Sequence, residues 1–225
     1  MYLTDRSVID NAMDATQSKN EPRFERRKDA RPGEILDAAL DLFVEKGFAA
    51  TRLEDVAQRA GVSKGTVYLY FDSKEELFKA VIRSGIVRAI EEAEQMVAAF
   101  PGSSADLLRQ LYNAWWQTIG SRKLSGIPKL MISEAQNFPE LARFYNAEVI
   151  QRGSQLFGRT IQRGIERGEF RHVNVDYTVR AMVAPLIMRA ILEHSFLRCA
   201  GPEDFDAPAY FEHTLGLVLD GLRAR

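Results

Sequence analysis

The chain has 225 residues, 46% of them hydrophobic, and a net charge of −1, with an isoelectric point near 6.3. That length and apolar content can bury one good core, or a small domain beside a larger one. The near-neutral charge excludes a protein that coats nucleic acid through bulk basicity, but not a small head with locally placed basic groups.

The predicted elements begin after a polar stretch, 1–28, with the composition of a disordered tail. Arg23, Arg26, Arg27, Lys28 and Arg31 gather at its end, interrupted by Glu25 and Asp29. Pro32 suits the first position of a helix, and Ile35, Ala38, Ala39, Leu42 and Phe43 form its buried stripe up to Gly47. Leu53, Val56, Ala57 and Ala60 fall at i, i+3, i+4 and i+7, a second short amphipathic helix. Thr51 can cap it, with Glu54 as the other half of a capping box. Gly61 follows where the chain must turn sharply. Ser63 can cap a third helix, whose Val67 packs back on the second, and Ala57 is small where the two must cross. These offsets define a helix-turn-helix.

The exposed side of the third helix carries Ser63, Lys64, Gly65, Thr66, Tyr68 and Tyr70, with no carboxylate. A helix lying in a major groove must not turn negative charge to phosphate, and it needs short donors and methyls for base edges. A generic helical hairpin with a polar face would not bring turn chemistry, spacing and polarity into agreement. Ser63, Lys64, Gly65, Thr66 and Tyr68 are therefore expected in the groove, with Tyr70 packed on the backbone. Thr51 and Lys74 are expected at phosphates, Lys74 beside the free N–H groups of a helix start. Arg52 serves either a phosphate or a surface salt bridge. The basic cluster before Pro32 is either a solvated linker or an arm for the backbone or minor groove.

Asp72 or Ser73 caps a fourth helix running to about residue 100, where Pro101 and Gly102 stop it. At 1.5 Å per residue it is roughly 39 Å long and joins the head to the rest of the chain. Gly85 lies in its interior and weakens it by roughly 1 kcal/mol relative to alanine, marking a bend or a close approach. A fifth helix starts after Ser103 and carries Leu107, Leu108, Leu111, Tyr112, Trp115, Trp116 and Ile119. A sixth covers 125–137, a seventh runs from Pro139 to about 167, an eighth covers 176–199 and a ninth 208–225, with Gly201 and Pro202 between the last two. There is no strand signal. The expected fold is all-α: a head at 29–76 and a helical ligand-binding and dimerisation domain at 77–225.

The segment 32–82 resembles the DNA-binding domain of the TetR family of bacterial repressors. The resemblance rests on Ile35-Leu-Asp-Ala-Ala-Leu-Asp-Leu-Phe43, Glu45-Lys-Gly-Phe48, Thr51, Val56-Ala57, Ala60-Gly-Val-Ser63, Gly65-Thr-Val-Tyr-Leu-Tyr-Phe71 and Lys74-Glu-Glu-Leu77. The stretch 132–145 looks like one subgroup of the family's C-terminal domains. The resemblance implies a homodimer on a double-stranded, near-palindromic DNA operator, released by a small-molecule effector. It also implies dimerisation through a four-helix bundle built from the last two long helices.

Met96, Tyr112, Trp115, Trp116, Ile119, Met131, Phe138, Phe144, Tyr145 and Met182 together can line a plastic apolar cavity, although any one of them also suits a core. Gln117, Glu134, Gln136, Asn137 and Arg189 are candidates for orienting a ligand. The eighth and ninth helices are apolar nearly all round, with Val183, Leu186, Ile187, Ala190, Leu215, Leu219 and Leu222. Such helices are buried on two sides, and in a chain of this size a second subunit best supplies the second side. These residues are therefore the expected dimer interface; the alternative is a wider core of the same chain. An alternative is a DNA-bound protein whose C-terminal domain takes a protein partner.

No catalytic chemistry stands out. There is no nucleophile elbow, phosphate-cradling glycine loop or metal spacing. His172, His194 and His213 lie on separate elements, and Glu91, Glu92 and Glu94 read as a solvated helix face. No enzyme, cofactor or metal is expected. The single cysteine, Cys199, precludes an intramolecular disulfide and suits a reducing cytoplasm, and its expected place is buried and apolar. The first residues lack the apolar core of a signal peptide, and no apolar run is long enough to span a bilayer.

Overall fold

A computed structural model describes residues 31–200 and 206–224. The expected tail, with Arg23, Arg26, Arg27 and Lys28, lies outside the described residues, as do Gly201 and Pro202. The described residues are helical, apart from turns and one isolated bridge between Phe170 and Arg223.

Helix α1 spans Arg31–Lys46 and ends at Gly47, whose φ of +87° takes the left-handed turn that glycine tolerates. Helices α2 (Leu53–Arg59) and α3 (Lys64–Tyr70) form the helix-turn-helix, with Gly61 at φ +65° between them. The capping box expected at Thr51 does not form. Arg52 holds the N-cap position without a side-chain bond. The Thr51 hydroxyl is buried and donates to the carbonyls of Gly47 at 2.7 Å and Leu42 at 3.2 Å. Thr51 thereby ties the turn that follows α1 back onto that helix.

The fourth helix, α4, starts at Ser73, whose hydroxyl accepts the Glu76 N–H at 3.1 Å. It runs as α-helix over Lys74–Ile82, π-helix over Arg83–Val87 and α-helix again over Arg88–Ala99. Gly85 sits inside the π-helical turn, and a Cβ there would lie 2.8 Å from the Leu124 methyls. Of the bend or close approach expected at this glycine, the close approach is present, at the π-helical turn.

Helix α5 comprises Ser104–Trp115 and a π-helical turn, Trp116–Gly120. Helix α6 spans Gly126–Glu134. Helix α7 comprises Pro139–Tyr145, a π-helical turn Asn146–Gln151, and Arg152–Glu166. Helix α8 spans Val175–Glu193 and is followed by a single turn, Leu197–Ala200, and α9 spans Ala207–Leu222. The eighth helix is shorter than expected. It ends at His194, whose Nε2 lies 2.6 Å from the Ser125 hydroxyl, a tie that holds the chain back toward α6. Cys199 is exposed rather than buried.

Residues from Pro32 onward pack as one unit. The core of the head, with Phe43, Phe48, Val67 and Phe78, continues into Ile86, Ile127, Met131 and Leu141. A second cluster holds Leu107, Leu111, Ile161, Met182, Leu186, Leu215 and Leu219. Most residues expected at the dimer interface therefore belong to this subunit's own interior. Leu186, Ala190, Leu215, Leu219 and Leu222 are buried in the chain, and Val183 and Ile187 are half-buried. The outward faces of α8 and α9 carry other apolar groups: Tyr177, 72% exposed, Met188, 54%, and Leu217, 63%.

At the end of α7, a Cβ on Gly164 would collide with the Phe170 ring. The Gly164 carbonyl also accepts the N–H groups of Glu169 at 2.8 Å and Phe170 at 3.0 Å, so the ring cannot retreat freely. Gly164→Ala should destabilise the fold by about 1–3 kcal/mol, the usual range for overpacking. Urea denaturation checks it, and an unchanged midpoint would mean that the ring swings aside.

Candidate DNA-reading head and ligand cavity

Helix α3 is organised by its cap. The Ser63 hydroxyl accepts the Thr66 N–H at 3.1 Å and lies 2.8 Å from the Thr66 hydroxyl. Lys64 pairs with Glu54 of α2, and its ammonium is 5.6 Å from the Tyr68 ring centroid. The hydrogen bond to Glu54 raises the Lys64 pKa, and the same bond lowers that of Glu54. Ser63, Lys64, Gly65, Tyr68 and Tyr70 are exposed and Thr66 half-exposed. A Cβ at Gly65 would meet only the Ser63 hydroxyl, at 3.8 Å, so no crowding within the chain requires glycine there. Leu69 was not singled out from the sequence, yet it is 78% exposed between the two tyrosines. Its signal is phase: two residues from buried Val67, it faces away from the core, where a methyl can meet a thymine.

The two expected phosphate ligands are placed differently. Thr51 is buried, as described above. Lys74 donates to the carbonyls of Phe48 at 2.8 Å and Ala49 at 3.1 Å, and its ammonium sits 4.5 Å from the Phe48 ring centroid. Burial lowers its pKa. Both groups hold the α1–α2 loop through its carbonyls. Arg52 is exposed. The far side of this loop is held by the C-terminal helices. The Ala49 N–H donates to Glu134 at 3.2 Å, and Phe138 meets Phe48 edge-on with centroids 4.6 Å apart.

Among helices α4 to α8 lies a cavity of about 500 Å³, within the range of small-molecule sites. All the π-helical turns of the described residues contribute to it: Ile86 in α4, Thr118 and Ile119 in α5, Val149 and Ile150 in α7. A π-turn inserts a residue and widens the helix, and such turns recur at functional sites. Of the residues expected in a pocket, Met96, Trp115, Ile119, Met131 and Tyr145 line it, joined by Val183, Leu186 and Ile187 from the expected interface.

The others lie elsewhere. Tyr112 donates its hydroxyl to the Met182 carbonyl, and Met182 is buried in the second core. Trp116 packs on Phe211 at 5.0 Å, and Phe144 lies under the Arg83 guanidinium at 5.0 Å. Glu134 and Phe138 hold the head's loop. Gln117, Gln136 and Asn137 are exposed, and neither they nor Arg189 line the cavity. Sequence reasoning missed Ala89, Ala93, Ala135 and Gly153, which line the cavity by leaving space. Small residues carry no chemical signal, so only packing reveals them. Among the described residues no three His, Cys, Asp or Glu gather as a metal site, and no helix is long and apolar enough to cross a membrane.

A helix-turn-helix with a carboxylate-free reading helix, joined by one continuous helix to an apolar cavity, is the build of a ligand-responsive DNA-binding regulator. Residues 35–81 match the family described as bacterial regulatory proteins, tetR family, and residues 101–200 match the tetracyclin repressor-like C-terminal domain. The chain belongs to the TetR family, whose members are transcriptional regulators that bind operator DNA as dimers and take small-molecule ligands. It is 32% identical to the HTH-type transcriptional regulator YfiR of Bacillus subtilis, over 68% of this chain and 74% of that protein. It is 28% identical to the HTH-type transcriptional repressor KstR2 of Rhodococcus jostii, over 87% of this chain and 92% of the relative. Its fold matches that of FadR from Bacillus subtilis in complex with stearoyl-CoA, with a TM-score of 0.71 at 20% identity, over 84% of this chain and 98% of the other.

Proposed function

We propose that the protein is a cytoplasmic, dimeric repressor that leaves a near-palindromic operator when a largely apolar molecule fills the cavity. The observation that carries this reading is the cavity itself, set among helices with π-turns and walled by a helix, α6, that also touches the head's loop. KstR2 is a repressor, which supports the sign of regulation, and the FadR fold accommodates an acyl thioester. A packed C-terminal core would have favoured a protein partner instead.

In this reading the head is residues 29–76. Ser63, Lys64, Thr66, Tyr68 and Leu69 enter the groove, Tyr70 packs on the backbone, Arg52 reaches a phosphate, and Gly65 lets the duplex approach closely. The outward faces of α8 and α9 place two heads for half-sites roughly 34–36 Å apart. The decisive experiment is reciprocity: a cavity ligand must bind more weakly in the presence of operator, by the factor by which it weakens operator binding. Equal ligand affinities with and without operator would remove the inducer role.

The two lysines should separate. Lys64 must leave Glu54 to reach a phosphate, and Lys64→Ala should weaken operator binding and lower the magnitude of the salt slope by roughly 1. Lys74→Ala should weaken binding through the loop and leave the slope unchanged. Titrations at several salt concentrations distinguish them, and a lowered slope for Lys74→Ala would return that residue to the phosphate.

A further inference from the structure

The cavity offers a ligand little but carbon. The one charged side chain of its lining is Glu92, which is exposed and pairs with Arg88 at 3.1 Å. No Lys or Arg lines it. A carboxylate or phosphate buried there would be an ion without a partner, which is strongly unfavourable. Thr118 and Ser154 contribute half-buried hydroxyls.

Two buried tyrosines on the surrounding helices differ in one respect. The Tyr112 hydroxyl is taken by the Met182 carbonyl. Tyr145 exposes 8% of its surface and lines the cavity, and among the described residues no group accepts its hydroxyl proton. It is the last residue before the π-helical turn of α7, and that turn also sends Val149 and Ile150 to the lining. Burial raises its pKa, so the phenol stays protonated and acts as a donor. The Tyr145 hydroxyl is not among the fully buried atoms that lack a partner, so the group remains reachable, and a reachable donor on the wall of an apolar cavity is one that an occupant can satisfy.

We infer that Tyr145 is the donor that orients the ligand, and that the buried part of the ligand is an uncharged, carbon-rich body carrying a carbonyl or similar neutral acceptor oxygen. This rests on the reading of the cavity as the effector site. A ring system or chain of matching size gains its affinity from apolar contact, and the hydrogen bond to Tyr145 fixes its orientation. An acceptor that fails to meet Tyr145 would leave both groups without a partner, so the phenol also discriminates between ligands of equal size.

The test uses the full-length protein, calorimetric titration and probes of similar shape: benzophenone, diphenylmethane and diphenylacetate. Tyr145→Phe keeps the ring and removes only the hydroxyl. It should weaken benzophenone about tenfold, the upper part of the range for one hydrogen bond, and leave diphenylmethane within about twofold. Diphenylacetate should bind more weakly than the ketone to both proteins. Equal effects of the variant on ketone and hydrocarbon, or none on either, would overturn the assignment of Tyr145 while leaving the cavity as a ligand site. Tighter binding of diphenylacetate would overturn the uncharged character of the ligand. Binding of none of the probes, by calorimetry or by the fluorescence of Trp115 in the lining, would overturn the cavity reading and this inference with it.

Discussion

Replacing Leu217 with glutamate is expected to leave the protein monomeric and to lower operator affinity at least about a hundredfold. Leu217 is 63% exposed in the subunit, so the substitution leaves the subunit's interior intact. Two glutamates brought into one symmetric interface would be desolvated without partners, at a penalty of several kcal/mol. A stable dimer of this kind buries more than about 2,000 Å², and the outward faces of α8 and α9, with Tyr177, Met188 and Leu217, offer it exposed apolar surface. A monomer reads one half-site and forfeits the second head's phosphate and base contacts. Sedimentation at micromolar concentration, far-ultraviolet circular dichroism and operator titration check the result together. Monomers with the wild-type helical spectrum are expected, whereas dimers of wild-type stability would place the interface elsewhere. Charges at Leu186 or Leu219 are not equivalent tests, because both residues are buried in the subunit's own core and would unfold it.

That contrast shows where the sequence stops being informative. The helix-turn-helix is legible because its determinants are local: a glycine at φ +65°, a serine cap and a buried valine act within a few residues of one another. The apolar character of the eighth and ninth helices is also legible, but not which side faces its own core. That depends on how α8 and α9 settle on α5 and α7, a tertiary matter on which composition is silent. Thr51 and Lys74 show another limit. Their place in the motif suggests phosphates, whereas the fold engages both with carbonyls of the loop that follows α1. The π-helical turns leave almost no trace in the sequence, since an extra residue per turn changes no residue type, and Gly85 is the partial exception. Tyr112 and Tyr145 are alike as letters, and only the fold decides which of them gives its hydroxyl to a backbone carbonyl and which lines the cavity.

The largest regulatory effect is expected where the cavity and the head share a wall. Met131 and Ile132 of α6, and Ala135 just beyond it, line the cavity. Between them Glu134 accepts the Ala49 N–H, and Phe138 meets Phe48 edge-on. The Lys74 ammonium sits against the same Phe48 ring. A ligand that displaces α6 therefore pulls on the loop that joins α1 to α2, in addition to any bending of α4 at its π-turn. Effector coupling in such systems amounts to about 1–3 kcal/mol, or 5- to 150-fold. The edge-on ring pair is worth about 0.5–1.5 kcal/mol and the hydrogen bond about 0.5–1.5 kcal/mol, so together they are comparable to the whole coupling. The double variant Glu134→Ala, Phe138→Ala should still bind operator, more weakly because the loop is loosened as in Lys74→Ala, and should still bind ligand, with the reduction of operator affinity by a cavity ligand falling below about threefold. Operator titrations with and without a saturating cavity ligand measure this. Coupling undiminished in the double variant would mean that the signal travels along α4 alone.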